Sequence, residues 1–396
     1  MMTRTNPYDV IIIGAGAAGL MCALTAGQRG RRVLLLDHLD RAGAKILISG
    51  GGRCNFTNRD GHLAERYLSA NPHFAKSALG RYDPADFIAL VDAHGIAWHE
   101  KTLGQLFCDG SAKQIVAMLE EECARGGVET RLLTRITAVS KPDEHFRVGT
   151  PGETYAAASL VIATGGPSIP KMGATGFAYD VARQFGLKVV EPRPALVPLT
   201  LGADDRLFET LSGVSLDVVA TLGKGRFREA ALFTHRGLSG PAILQISSYW
   251  RHGDTLSLDL LPGTDAAALL VEAKRTRPKA EPRTILREHF PDRLADVLAD
   301  RLMLAGPMLD HKDVALAAAG RRLNAWPFTP NGSEGFAKAE VTIGGVSTDG
   351  LDQRGLMAKR VPGLHFIGEG VDVTGWLGGY NFQWAWASGR AAGEVA

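Results

Sequence analysis

Long apolar runs are missing from this 396-residue chain. A membrane-crossing helix needs about 20 consecutive apolar residues, so a helical membrane protein is excluded. Cysteine is scarce: Cys22, Cys54, Cys108 and Cys123 are the whole complement. They form no Cys-x-x-Cys pair and have no metal-like spacing, which argues against a disulfide framework, a dithiol redox centre and a metal site. Excess charge is missing as well, with a formal net charge of +2. That balance leads to the expectation of no nucleic-acid and no membrane partner, and of a small-molecule substrate instead. The first apolar run, Val10 to Ile13, stops at once in glycine and does not have the pattern of a secretory signal. A cytoplasmic location is therefore expected. Oligomeric state is not legible.

Glycine is abundant. The 47 glycines exceed the usual ~7%, and they cluster at 14–19, 43–52, 165–176, 344–350 and 368–379. Clusters of this kind mark places where backbone must approach a ligand or adopt positive φ. The first cluster lies in a strand–turn–helix–strand pattern. Tyr8 to Ile13 predicts a strand buried on both faces. Ala17 to Arg29 predicts a helix stopped by Gly30, and Arg32 to Leu36 predicts a second, parallel strand. Between the first strand and the helix, Gly14, Gly16 and Gly19 stand in Gly-x-Gly-x-x-Gly order. Gly14 would permit the tight turn, Gly16 the approach of a pyrophosphate, and Gly19 the close packing of helix on strand. The N–H groups of the helix start, with Ala17 and Ala18, suit the phosphates. Asp37, at the end of the second strand, suits a ribose hydroxyl.

That pattern indicates a dinucleotide without separating NAD from FAD. Two later segments separate them. Ala163-Thr164-Gly165-Gly166 ends a strand in small residues, against which a dinucleotide can lie. Gly368-Glu369-Gly370 follows the predicted strand Leu364 to Ile367, and Glu369 suits a ribityl hydroxyl. Gly378-Gly379-Tyr380-Asn381 then opens a last helix, whose N-terminus can stabilise negative charge on a reduced flavin. In this order the segments resemble the α/β FAD-binding fold of the glutathione-reductase type more than a nicotinamide dehydrogenase, which implies FAD. No second strand–glycine turn–helix unit is present. Any NAD(P)H would therefore bind transiently, near an inserted domain.

The rest of the chain reads as follows. Residues 43–58 form a polar, glycine-rich loop, and 60–130 look mainly helical, with amphipathic stretches at 84–94 and 111–125. Short strands follow over 131–162. Pro194-Ala195-Leu196-Val197-Pro198 marks a boundary, followed by short β-runs at 214–222, 226–233 and 255–261. Residues 265–319 are helical, and β-like sequence returns at Glu340 to Val346. A nucleotide-binding core interrupted by an inserted domain is the simplest description.

Four segments together carry a closer resemblance. They are Gly43-Ala44-Lys45 through Ser49-Gly50-Gly51-Gly52-Arg53-Cys54-Asn55-Phe56-Thr57-Asn58, Phe233-Thr234-His235-Arg236-Gly237-Leu238-Ser239-Gly240-Pro241, Val341-Thr342-Ile343-Gly344-Gly345-Val346, and the C-terminal Gly-Glu-x-x-Asp with Gly-Gly-Tyr-Asn. With them the chain resembles the BaiN/YhiN-like flavoprotein family, also called the aminoacetone oxidase family or NAD(P)/FAD-dependent oxidoreductases, over nearly its whole length. Phe107-Cys108-Asp109-Gly110 and Thr374-Gly375-Trp376-Leu377 depart from the family pattern and mark a distinct subfamily. The resemblance implies a Rossmann-like FAD domain made of 1–194 and 343–396. It also implies an inserted β-barrel at 195–264 and 320–342, and a helical subdomain at 265–319.

Within the 43–58 loop, Lys45 and Arg53 are candidates to meet phosphate or the reduced flavin, with Gly52, Cys54, Asn55 and Thr57 as further cofactor contacts. Ile136 is placed with them, as are Gly368, Gly379, Tyr380 and Asn381. Cys54 lacks a resolving partner and is not expected to be redox-active. His235 is the candidate general acid. The expected activity is FAD-dependent oxidoreduction, with hydride passing through flavin N5 between NAD(P)H and an unidentified small organic substrate. An oxidase using oxygen and a non-catalytic or RNA-directed flavoprotein are the alternatives.

Overall fold

The structure is a computed structural model describing residues 7–396. It divides into two compact units, 1–193 with 341–396, and 194–340.

The first unit is built on a seven-stranded sheet. Strand β1 (Tyr8–Ile13) is apolar because it lies at the centre of this sheet, and Val10, Ile11 and Ile12 are fully buried. It pairs in parallel with β2 (Val33–Leu36) on one side and with Thr154–Ile162 on the other. Beyond β2, Glu129–Arg131 adds a further parallel strand. Thr154–Ile162 also pairs in parallel with Leu364–Phe366 from the far end of the chain, and antiparallel with Phe146–Gly149. Helix α1 (Ala17–Gln28) makes the crossover from β1 to β2 and is buried over ten consecutive residues, Ala18 to Gly27. Small side chains allow this: a Cβ on Gly389 of the last helix (Tyr380–Gly393) would lie 2.5 Å from the Ala18 carbonyl oxygen. The two helices therefore pack backbone against backbone.

Two local expectations are corrected. The 43–58 segment is not one loop: it contains helix α2 (Ala44–Ile48), a tight 3-10 turn and a strand, Asn55–Asn58. That strand pairs with Gln105–Cys108, which pairs in turn with Trp98–Glu100. The 60–130 stretch is thus only partly helical. Its helices Pro84–Ala93 and Ala112–Arg125 start at capping boxes set by Asp83 and Ser111.

The second unit carries a separate seven-stranded sheet. Its order is Trp326–Phe328, Leu256–Asp259, Ser215–Leu222, Gly225–Phe233, Gly237–Ser239, Leu199–Thr200, Gly332–Ser333. The two end strands follow each other in the chain, which curls the sheet. Five helices among the described residues, Pro241–Ser247, Ala266–Thr276, Pro282–Arg287, Asp292–Arg301 and Asp313–Asn324, accompany it. No helix among the described residues is long and apolar enough to cross a membrane.

Candidate functional site: a dinucleotide cradle at the carboxyl ends of the parallel strands

Register brings the glycine segments together. Ile13 lies opposite both Leu36 and Ile162, and Ile162 lies opposite Phe366. The residues that follow these strands (Gly14, Asp37 and Ala163 directly, Gly368 one residue further on) therefore share one edge, the carboxyl edge where open α/β sheets bind ligands. Backbone hydrogen bonds seal the edge: Gly14 N–H donates to Leu36 and Ala163 N–H to Ile13, each at 2.8 Å.

The three glycines of the first turn do different work. Gly14 has φ +110°, and a Cβ there would meet the Ala163 carbonyl oxygen at 2.5 Å. On Gly19 a Cβ would lie 1.8 Å from the Gly14 oxygen. Gly16 is the exception, because its Cβ would meet nothing within 4 Å. The absence of a side chain there keeps space open instead of relieving a contact. Helix α1 begins at Gly16 with no side chain capping its first turn, so its N–H groups and positive dipole end face that space. Thr164 Oγ1 is buried without a protein partner. An open cradle, an uncapped helix start and an orphaned hydroxyl fit the pyrophosphate and polyol of FAD.

Asp37 is engaged by the protein. Its Oδ2 accepts from Ala15 N–H at 2.7 Å and its Oδ1 from Leu39 N–H at 2.9 Å. The carboxylate thus shapes the turn, and a ribose hydroxyl would use its remaining lone pairs. The segment 131–134 runs beside it, with Thr134 N–H donating to the Asp37 carbonyl at 2.7 Å. Farther along, Ile136 is half-buried and packs on the core of this unit.

Lys45 and Glu369, expected as separate cofactor contacts, form one cluster. Lys45 Nζ lies 2.8 Å from Glu369 Oε2 and 2.6 Å from Ser168 Oγ. Glu369 Oε1 accepts from Ser168 Oγ at 2.6 Å and from Thr342 N–H at 3.0 Å. Ser168 was not singled out in the sequence, and Thr342 only as part of the Val341 to Val346 segment. The lysine carries a partner carboxylate with it, so it brings no uncompensated positive charge to a phosphate. A Cβ on Gly165 would sit 3.8 Å from Glu369 Oε2, which places the Ala163–Gly165 turn beside the cluster.

Several side chains expected to face the cofactor are turned inward. Thr57 is fully buried, and its hydroxyl donates to Gln383 Oε1 at 2.6 Å. Asn55 accepts from Gly379 N–H at 3.2 Å and donates to the Thr57 carbonyl at 3.0 Å, bracing the glycine turn. Asn381 accepts from Gly375 N–H and donates to the Gly375 carbonyl, each at 2.9 Å, and so clasps the preceding turn. Tyr380 is buried edge-on against Tyr67 at 6.0 Å, and burial pushes its phenol up to about 12. Cys54 is fully buried at φ 52°. Burial pushes its thiol well above the usual range, so it is inert at neutral pH. Gly52 sits at φ +84° beside Arg53, which is exposed. Trp384 and Trp386 are core residues: their indole N–H groups donate to Gly368 and Phe56 carbonyls at 3.0 and 2.8 Å. His235 lies in the second unit, exposed on the turn between Gly225–Phe233 and Gly237–Ser239.

Comparison with known proteins agrees with this geometry. A family model described as HI0933-like protein Rossmann domain matches residues 8–395. The ribosomal RNA dihydrouridine synthase of Escherichia coli K12 is 51% identical over 391 residues, covering 98% of this chain and 97% of that protein. The protein of the same name from Haemophilus influenzae is 46% identical over 387 residues, 96% of each chain. Among solved structures, the Mycobacterium smegmatis Sdh1 complex in the apo form superposes with a TM-score of 0.51 at 16% identity, over 99% of this chain and 68% of that one. This last likeness concerns the fold alone.

These relatives overturn one expectation. A small-molecule substrate with no nucleic-acid partner was expected from the near-neutral charge, yet two relatives matching along their whole length are named for action on ribosomal RNA. Net charge misled because it sums the whole surface, whereas RNA contact needs only a local set of cations. The chain is an enzyme of the HI0933-like Rossmann-domain family, the YhiN/BaiN-like FAD-dependent flavoprotein oxidoreductases.

Proposed function

We propose that this chain reduces uridine to dihydrouridine in ribosomal RNA, with FAD held at the glycine cradle and NAD(P)H as electron source. The observation that carries the reading is the near-complete match to two proteins named ribosomal RNA dihydrouridine synthase, at 51% and 46% identity. The Gly16 cradle and the orphaned Thr164 hydroxyl support the cofactor. Bound FAD, once reduced by NAD(P)H, would supply the hydride, through N5, for the uracil C5=C6 bond.

In this reading the protein's own residues have separate tasks. Gly14, Gly16, Ala17, Ala18 and Gly19 receive the pyrophosphate, and Asp37 the adenosine ribose. Thr164 and the Lys45–Glu369–Ser168 cluster orient the polyol chain, beside Ala163 and Gly165. The last helix, whose Gly378-Gly379 start is held by Asn55 and Asn381, presents the N–H groups of its first turn beyond Gly379 to the flavin's electron-rich edge. A proton at C5 completes the reduction, and His235 is the candidate general acid for it. An RNA substrate also supports a cytoplasmic location.

The test starts with the absorbance spectrum of the purified protein and anaerobic addition of NADH or NADPH. It is followed by mass spectrometry of nucleosides from rRNA isolated from a strain lacking this protein. The expected result is a yellow protein, bleached by one nicotinamide, that adds two hydrogens to a uridine in that RNA. A bleachable flavoprotein that leaves every uridine unchanged would overturn the reading.

A further inference from the structure

The second unit contains a cavity of about 620 Å³ whose lining includes Pro198, Leu232, Phe233, His235, Arg236 and Lys338. The turn at its mouth is tightly hydrogen-bonded. Thr234 N–H donates to the Gly237 carbonyl at 2.8 Å, and Thr234 Oγ1 accepts from the N–H groups of Arg236 and Gly237 at 3.3 and 3.1 Å. A Cβ on Gly237 would lie 1.9 Å from the Leu199 oxygen, so the turn is pinned against the neighbouring strand. This fixed hairpin tip presents His235 and Arg236 side by side, both exposed.

The charge at the mouth is unbalanced. Lys338 is exposed and has no carboxylate partner among the described residues, and neither does His235. Glu334 is the only acid in the lining among the described residues, and it pairs with Arg236 across 3.8 Å (Oε2 to Nη1), an ion pair too long for a hydrogen bond. Two permanent cations on the rim therefore face one loosely held carboxylate, above a wall of proline, leucine and phenylalanine.

Resting on the reading above, we infer that this cavity is an RNA-binding subsite, in which Arg236 and Lys338 hold a backbone phosphate and the apolar wall receives the adjoining ribose and base. A strand of RNA combines polyanion and flat apolar ring in the order that cationic rim and apolar wall require. This local arrangement supplies RNA affinity that the net charge of +2 does not.

The experiment measures rRNA binding to the FAD-loaded protein across a range of KCl concentrations, for wild type, Arg236→Gln, Lys338→Gln and the double variant. Each lost phosphate contact should lower affinity and make the salt dependence of log K shallower by about 1. Flavin content, melting temperature and bleaching by nicotinamide should stay at wild-type values. Wild-type affinity and slope in the double variant would overturn the inference. So would a raised KM for NAD(P)H with RNA binding unchanged, which would make the cavity a nicotinamide site. Failure of the wild-type protein itself to modify rRNA would be a failure of the proposed function, and is separated from these outcomes by the wild-type control.

Discussion

At the residue scale, two glycines of one turn have opposite reasons to be glycine. Gly19 is demanded by the fold, since a methyl group there would overlap the Gly14 oxygen. Gly19→Ala should destabilise the protein by about 1–3 kcal/mol through overpacking, read as a lower melting temperature even without flavin. Gly16 meets no such contact, and in the proposed function its open space is left for the ligand. Gly16→Val should leave the melting temperature of the flavin-free protein unchanged and abolish FAD retention, and normal FAD binding would refute the phosphate placement. His365 illustrates a different kind of residue effect. It is buried on the strand Leu364–Phe366, its Nδ1 lies 2.8 Å from the Gly355 carbonyl, and burial lowers its pKa below 6.5 although Gly355 and Asp352 oppose this. The unfolded chain thus binds more protons than the folded one once the pH falls below 6.5. Its contribution to stability is complete above that value and is lost on acidification. His365→Gln should flatten this part of the curve of melting temperature against pH.

At the element scale, the last helix joins the distant pieces of the cradle. Trp384 and Ser388 hold Gly368 from both sides, through its carbonyl and its N–H, each at 3.0 Å. Trp386 reaches Phe56 in the 55–58 strand. Trp384 and Trp386 therefore brace the cradle from within. The Lys45–Glu369 pair joins α2 to the turn after the strand Leu364–Phe366. Lys45→Met should leave Glu369 with a lost charge-assisted partner and weaken FAD binding by about 1–3 kcal/mol. Titration with FAD measures this, and restoration of affinity in the Lys45→Met, Glu369→Gln double variant would show that the pair acts through its charge balance.

At the scale of the whole molecule, one chain supplies two differently built units. The first buries a parallel sheet under helices and leaves its carboxyl edge for the cofactor. The second is an antiparallel sheet with helices, and its cavity has a cationic mouth. Overall composition describes neither. A near-zero net charge is the sum of many paired surface ions, such as Arg287 with Asp296 and Arg277 with Glu288, and it conceals the few cations that are left over. Thiol chemistry is similarly settled by the folded state: all four cysteines are buried, and no metal-binding cluster occurs among the described residues.

The sequence by itself determined the family and the Rossmann-type fold of the first unit. Gly-x-Gly-x-x-Gly between a buried strand and a small-residue helix is a local pattern, and local spacing sufficed to identify the strands, the turn and Asp37. The family was legible for the same reason, in contiguous segments. Only the tertiary structure decided which side chains face the cradle. Thr57, Asn55 and Asn381 look like ligands in sequence but satisfy buried partners more than 300 residues away or across a turn. Lys45 finds its carboxylate 324 residues later. Spacing along the chain carries no record of such pairings, because they arise when separate strand ends come to one edge of a sheet.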